Sequence, residues 1–285
     1  MNRFIVTAIA ASCTICFTQF AVAADLPSKA PPMAPAPIAP SWTGFYAGLN
    51  LGYGWTDDRS ITVSANDPST QAFLNNVIAN VSPSPKSHGI LGGLQLGYNY
   101  QFAPSWLVGI ETDFQASSLN DTASGSFLIV GVPVPFSTAA HQDINWFGTV
   151  RGRLGYLVTP SWLVYGTGGF AYGRVEQSYS TADLGVAVGV LTPPSFTCTG
   201  GGAVCAAGSK TDTRGGWTAG GGFEYLLPNF RILNHATTVK LEYLYVNLGS
   251  QDVVVPTASN PAASFTAHSG DVVFNVVRAG VNVKF

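Results

Sequence analysis

Apolar and polar residues alternate with a period of two along much of this chain, most cleanly in its last stretch, VVFNVVRAGVNVKF, Val272 to Phe285. Val273, Val277, Ala279, Val281, Val283 and Phe285 share one face, broken by Asn275. Arg278, Gly280, Asn282 and Lys284 share the other. Such a period predicts a strand with one oily and one wet side. The pattern recurs in Trp42 to Trp55, where Phe45, Ala47, Leu49, Leu51, Tyr53 and Trp55 oppose Gly44, Tyr46, Gly48, Asn50, Gly52 and Gly54. Fourteen residues is long for a soluble strand. Aromatics at both ends of an aliphatic run suit a lipid-facing band between two interfaces.

Six further segments follow. Residues 88–102 direct Ile90, Leu94, Leu96, Tyr98, Tyr100 and Phe102 outward, with Gln95, Asn99 and Gln101 inward. Residues 106–116 direct Trp106, Val108, Ile110 and Phe114 outward, with Glu111, Asp113 and Gln115 inward. Residues 144–158 direct Ile144, Trp146, Val150, Leu154 and Tyr156 outward and place Asn145, Thr149, Arg151 and Arg153 inside, although Phe147 and Leu157 fall on the wet side and blur the pattern. In residues 162–173 both faces carry apolar groups, and Trp162, Val164, Phe170 and Tyr172 are assigned outward. Residues 216–227 put Glu224 inside; residues 238–248 put Lys240 and Glu242 there. The turn-plus-tryptophan device APSWLV at 103–108 returns as TPSWLV at 159–164.

Connections sort by length. Residues 103–105, 159–161 and 228–237 are short, whereas 56–87, 117–143, 174–215 and 249–271 are long. Strict alternation of short and long predicts an all-β, eight-stranded antiparallel transmembrane β-barrel, with short periplasmic turns and four long extracellular loops. Apolar pieces within the loops (Ala72 to Val81, Phe127 to Phe136, Leu184 to Leu191) read as extensions above the membrane or as extra spanning strands; Pro133 and Pro135 argue against spanning in the second.

Composition explains how so apolar a chain lacks a membrane helix. Charged residues are only 10% and aromatics 12%, with 32 glycines, yet no later run reaches the ~18 apolar residues a spanning helix needs. The apolar side chains are spread over many strands, one face each. The N-terminus differs: Arg3, the run Phe4 to Ala11 and the small residues Ala21-Val22-Ala23 predict a signal peptide over residues 1–23, cleaved after Ala23 or Ala24. The exported chain then keeps 12 bases against 15 acids, a net of −3, with no clustered basic surface for nucleic acid. Residues 24–41 form a Pro/Ala-rich periplasmic linker, extended and unable to pack. It reads as a spacer or as a contact to peptidoglycan or a periplasmic partner. Residues 42–285 make the barrel.

Two cysteines survive export, Cys198 and Cys205, separated by six residues that include three consecutive glycines. In an oxidising compartment they predict a disulfide that staples a loop. No metal site is expected, since no further Cys or His lies in sequence reach, and no cofactor is implied.

The opening WTGFYAGLNLGYGW, the strand WFGTVRGRLGY, the strand LEYLYVNLG and the ending RAGVNVKF, with the signal peptide and the Pro/Ala linker, resemble the small outer-membrane proteins of alphaproteobacteria. This porin family shares an OmpA-like eight-stranded barrel. The resemblance implies an outer-membrane location, contact with outer-membrane lipid and lipopolysaccharide, and a surface-antigen or envelope-integrity role. It also marks Phe285 as the insertion signal read by the barrel-assembly machinery. The long cysteine-bearing loop has no counterpart in the family pattern.

The inward charges Glu111, Asp113, Arg151, Arg153, Glu224, Lys240, Glu242, Arg278 and Lys284 come from several strands. Eight strands leave an interior just wide enough for side chains, and isolated buried ions are costly, so these groups must pair or hold water. Such a network makes a structural plug, or a gate passing small ions. Geometry disfavours a wide pore. Loop-borne binding or adhesion, through Tyr179, Phe196 and the cysteine staple, is a further reading. Enzyme chemistry on lipids ranks last: His141 lies near Ser137 and Asp143 in sequence, and His88 and His268 near predicted rims, but no G-x-S-x-G motif is present.

Overall fold

A computed structural model describes residues 41–57, 61–68, 71–72, 84–129, 132–183, 202–259 and 264–285. The expected signal peptide, nearly all of the linker and Cys198 therefore lie outside the described residues. All described residues belong to one unit, Ala39–Phe285. Its strands are β1 (Gly44–Thr56), β2 (Thr62–Ala65), β3 (His88–Ala103), β4 (Trp106–Ile129), β5 (Val132–Thr159), β6 (Trp162–Asp183), β7 (Val204–Ile232), β8 (His235–Pro256) and β9 (Ser264–Lys284).

The expectation of eight strands is corrected by this count. One nine-stranded sheet runs in the order β1-β3-β4-β5-β6-β7-β8-β9-β2, and β1 also pairs with β9, from Tyr46↔Lys284 to Thr56↔Phe274. The strand that the eightfold count lacks is β2. Only four residues long, it lies in the stretch expected to be the first long loop and pairs with β9 through Thr62↔His268 and Ala65↔Phe265. Every pairing is antiparallel.

The long loops are corrected with it. Residues 117–143 continue the β4–β5 hairpin up to Ile129↔Val132, so the Phe127 to Phe136 piece is its top. β6 and β7 stay paired up to Ala182↔Val204, and β8 and β9 up to Pro256↔Ser264. Residues 73–81 and 184–191 of the other two apolar pieces lie outside the described residues. The turn expected over 228–237 is also shorter. β7 and β8 pair down to Ile232↔His235, leaving Leu233 (φ 50°) and Asn234 (φ 67°) as a two-residue turn of the primed kind that suits strand twist.

Outward residues in the lower part of the sheet form a continuous apolar band. Phe45, Leu49, Leu51, Ile90, Leu94, Leu96, Ile110, Leu154, Phe170 and Leu241 are all exposed, with Tyr53, Tyr100, Trp106, Tyr156, Trp162 and Trp217 among the aromatics. Rings on neighbouring strands touch, as Trp106 does Tyr156 (centroids 5.1 Å apart) and Trp162 does Tyr225 (4.7 Å). Surface this apolar is incompatible with water and suits a bilayer.

Candidate functional site: a stratified interior

Inward side chains stack in alternating layers. At the end that carries the β3–β4, β5–β6 and β7–β8 turns, Trp42, Leu107, Leu157, Leu163, Tyr165 and Leu226 form an apolar layer. Above it lies the charged layer. Next comes a second apolar layer that includes Leu91, Leu119, Ile144, Phe147, Val175, Leu244, Phe274 and Val276. Gln142, Gln177, Gln251 and Ser269 make a polar level, joined by Gln177 Nε2 donating to Gln142 Oε1 (3.1 Å) and Ser269 Oγ to Gln177 Oε1 (3.0 Å). At the top Ile61, Phe136, Tyr179, Val253, Val255 and Phe265 close a third apolar layer, where burial raises the Tyr179 phenol pKa.

Antiparallel register builds the charged layer, because residues directly opposite share a face. Glu111 faces Arg151 across β4–β5, Glu224 faces Lys240 across β7–β8, and Glu242 faces Arg278 across β8–β9. Arg151 donates to Glu111 (2.5 Å), Asp113 (2.9 Å) and Glu242 (3.0 Å). Arg278 reaches Asp113 (2.9 Å) and Glu242 (2.6 Å). Lys240 Nζ lies 2.9 Å from Glu111 Oε1, and Arg153 Nη2 lies 2.9 Å from Glu224. Four carboxylates thus meet four cations, and all eight side chains are buried. Local neutrality is what makes such burial tolerable, since a lone ion there costs several kcal/mol at least.

Neutral groups complete the layer, and pattern reading had not assigned them a role. Tyr46 donates its hydroxyl to Glu111 (2.6 Å) and accepts from Arg153 (3.0 Å). Its ring occupies the space a side chain at Gly97, its cross-strand partner, would need. Tyr165 donates to Glu242 (3.1 Å) and stacks under the Arg153 guanidinium, 4.1 Å from ring centroid to Cζ. Thr149 donates to Asp113 (2.8 Å), Asn282 to Glu224 (3.0 Å), and Thr238 also bonds Glu224. Alternation places Tyr46 and Asn282 inside but says nothing of their partners. Tyr165 was hidden by the ambiguous phase of its strand: Leu163 and Tyr165 are inward apolar groups, as are Phe147 and Leu157.

Lys284 stands apart from this cluster. Its ammonium donates to the Ser41 carbonyl (2.9 Å) and lies 4.8 Å from the centroid of the Trp42 ring. Phe285 is exposed at the rim of the last strand, its ring 4.8 Å from His235 and its N–H bonded to the Phe45 carbonyl (2.8 Å). Cys205 is buried and disulfide-bonded.

His88, His141 and His268 each have partners of their own. His141 bonds Thr122 (2.9 Å), and His88 meets the Lys86 carbonyl (2.9 Å). His268 links Ser64 (2.9 Å) and Asp252 (2.9 Å) on the outward face of β2, β9 and β8, opposite Val63 and Ala65, which pack on the third apolar layer. There the ring serves to tie the short β2 to its neighbours. Among the described residues no cluster of three or more His, Cys, Asp or Glu could hold a metal.

A family model described as "Outer membrane protein beta-barrel domain" matches residues 20–285. The 31 kDa outer-membrane immunogenic protein of Brucella melitensis biotype 1 is 34% identical over 281 residues, covering 97% of this chain and 98% of that one. The 22 kDa outer membrane protein of Rhizobium leguminosarum bv. viciae is 27% identical, covering 88% of this chain and 82% of the other. Among solved structures, Ail, the attachment invasion locus protein of Yersinia pestis, aligns with 12% identity over 84% of this chain and 99% of its own, at a TM-score of 0.30, too low to carry an argument.

Proposed function

Since the chain belongs to the outer-membrane protein beta-barrel domain family, we propose that it is a structural, non-enzymatic surface component of the bacterial outer membrane with a sealed interior. The carrying observation is the neutral cluster of Glu111, Asp113, Glu224 and Glu242 with Arg151, Arg153, Lys240 and Arg278, held between two apolar layers. An ion entering from either side would meet side chains that offer it no ligands before reaching groups already paired with one another. Passage requires breaking several charge-assisted bonds at once, each about twice as strong as a neutral one. The wide-channel alternative therefore has no support in the layer's geometry.

Planar-bilayer recording tests this directly. The purified protein is expected to leave membrane conductance at the protein-free baseline. Stable, ion-selective steps that reverse preference in Glu242→Lys would replace the plug with a gate.

Four accessory assignments belong to the same reading. The signal peptide, residues 1–23, is removed on export, and linker residues 24–41 stay on the periplasmic side within reach of peptidoglycan. Phe285, exposed at the rim of the last strand, is the feature by which the assembly machinery takes up the chain, in a setting of outer-membrane lipid and lipopolysaccharide. Cys198 is the partner of Cys205. Mass spectrometry of the mature protein, with and without reductant, checks the new N-terminus and the pairing together.

A further inference from the structure

The periplasmic apolar layer contains a residue that no strand supplies. Trp42 precedes β1, yet it is completely buried, and it packs with Leu107, Leu157, Leu163, Tyr165 and Leu226 from β4, β5, β6 and β7. Four hydrogen bonds and one cation–π contact fix it and its two neighbours there. Its indole Nε1–H donates to the Pro160 carbonyl in the β5–β6 turn (3.0 Å), and its backbone N–H donates to Gln101 Oε1 on β3 (3.1 Å). Lys284, at the end of β9, lies with Nζ 4.8 Å from the ring centroid and donates to the carbonyl of the preceding Ser41 (2.9 Å). The following Thr43 accepts from the Gln101 N–H (3.0 Å). Residues 41–43 thus cross the periplasmic opening and are gripped by β3, β9 and the β5–β6 turn.

Nothing in strand formation requires this. β1 begins at Gly44 and its ladder is complete without Trp42. An indole left outside would lie in periplasmic water or at the lipid interface, where tryptophan is favoured. Here it is turned inward, its donor satisfied and its ring under a cation, a full set of buried-tryptophan contacts.

We propose that Trp42 is a cork: the chain seals its own periplasmic mouth with the residue that joins linker to barrel. The inference deepens the sealed-interior reading and rests on it, but assigns the periplasmic seal to a different group from the central charges. Two consequences follow. The lower interior is closed to periplasmic solutes independently of the charged layer, and residues 41–43 are held within the mouth of the barrel.

The test uses the folded full-length mature chain in detergent. Ala236 is partly buried and packs on this layer, so Ala236→Cys places a near-isosteric thiol against the layer that holds the cork. The chain without that substitution serves as the blank. Reaction with a small cationic methanethiosulfonate is expected to be slow with Trp42 present. It should be about tenfold faster or more with Trp42→Ala, since exposure then no longer waits on a local opening. Trp42→Phe, which fills part of the space but cannot bond Pro160, should fall between. Equal rates in folded Ala236→Cys and Ala236→Cys/Trp42→Ala overturn the cork. If the alanine variant does not give the heat-modifiable folded band, Trp42→Phe is held to the same criterion of a faster rate. Conductance of the unsubstituted protein separates the two claims. A conducting protein sinks the sealed interior whatever the labelling shows, whereas a silent one with equal labelling rates sinks the cork alone.

Discussion

The lower and upper halves of the same strands use opposite chemistry. On lower β8, Val239, Leu241 and Tyr243 face outward while Lys240 and Glu242 face in; on upper β8, Val253 and Val255 face in while Asp252 faces out. β9 repeats this, with Val277 and Val281 outside Arg278 and Asn282 below, and Phe265 and Ala267 inside His268 and Thr266 above. The backbone is the same ladder throughout. What changes is the medium: beside lipid the oily side chains go out and charges are confined with their partners, beside water the arrangement of an ordinary sheet returns. A strand's sidedness therefore reports its surroundings as well as its pairing.

Three tests can break or sharpen that contrast. The largest effect is expected from Glu242→Gln, which strips Arg151 and Arg278 of a shared partner inside the lipid-encircled half. Unfolding in urea should show a loss of about 3–5 kcal/mol, because the cations are left buried and uncompensated. Phe265→Ala, in the upper apolar layer, should cost about 3 kcal/mol by the loss of packing and the cavity left behind. A much smaller loss would mean that the upper layer is not a true core. The third is a matched pair of added charges. Leu94→Arg, on the outward face of the apolar band, should cost about 2–4 kcal/mol, whereas Ser178→Arg, outward on the upper part of β6, should change stability by no more than about 0.5 kcal/mol. Equal costs at the two sites would erase the boundary between the halves.

That boundary also explains what alternation could and could not reveal. In the lower half the period-two pattern locates the spanning strands and puts all eight cluster charges on the inward side. Above it the same rule fails for two physical reasons. First, the medium inverts, so polar outward stretches such as Arg174 to Ser180 look like loop. Second, register irregularities sit at that level, between Ala116 and Leu119, Ile144 and Trp146, and Asn247 and Asp252. Each extra residue shifts which side chains point in. On β5 the inward set changes from Thr149 and Phe147 to Ile144 and Ala140; on β8 it changes from Leu244 and Val246 to Val253 and Val255. Extrapolating one phase through such a step makes a good strand look patternless. Trp42 escaped for another reason: a tryptophan beside a strand start reads as an interfacial anchor, and only tertiary packing turns it inward.

The irregularity on β8 and β9 carries Gly249 (φ 73°) and Gly270 (φ 57°), backbone states that favour glycine. Because the phase is reset there, whatever is grafted beyond these two glycines need not keep count with the lipid-facing rungs beneath. The pair is in effect a splice site, across which displayed segments can be lengthened, trimmed or exchanged while the membrane anchor stays as it was.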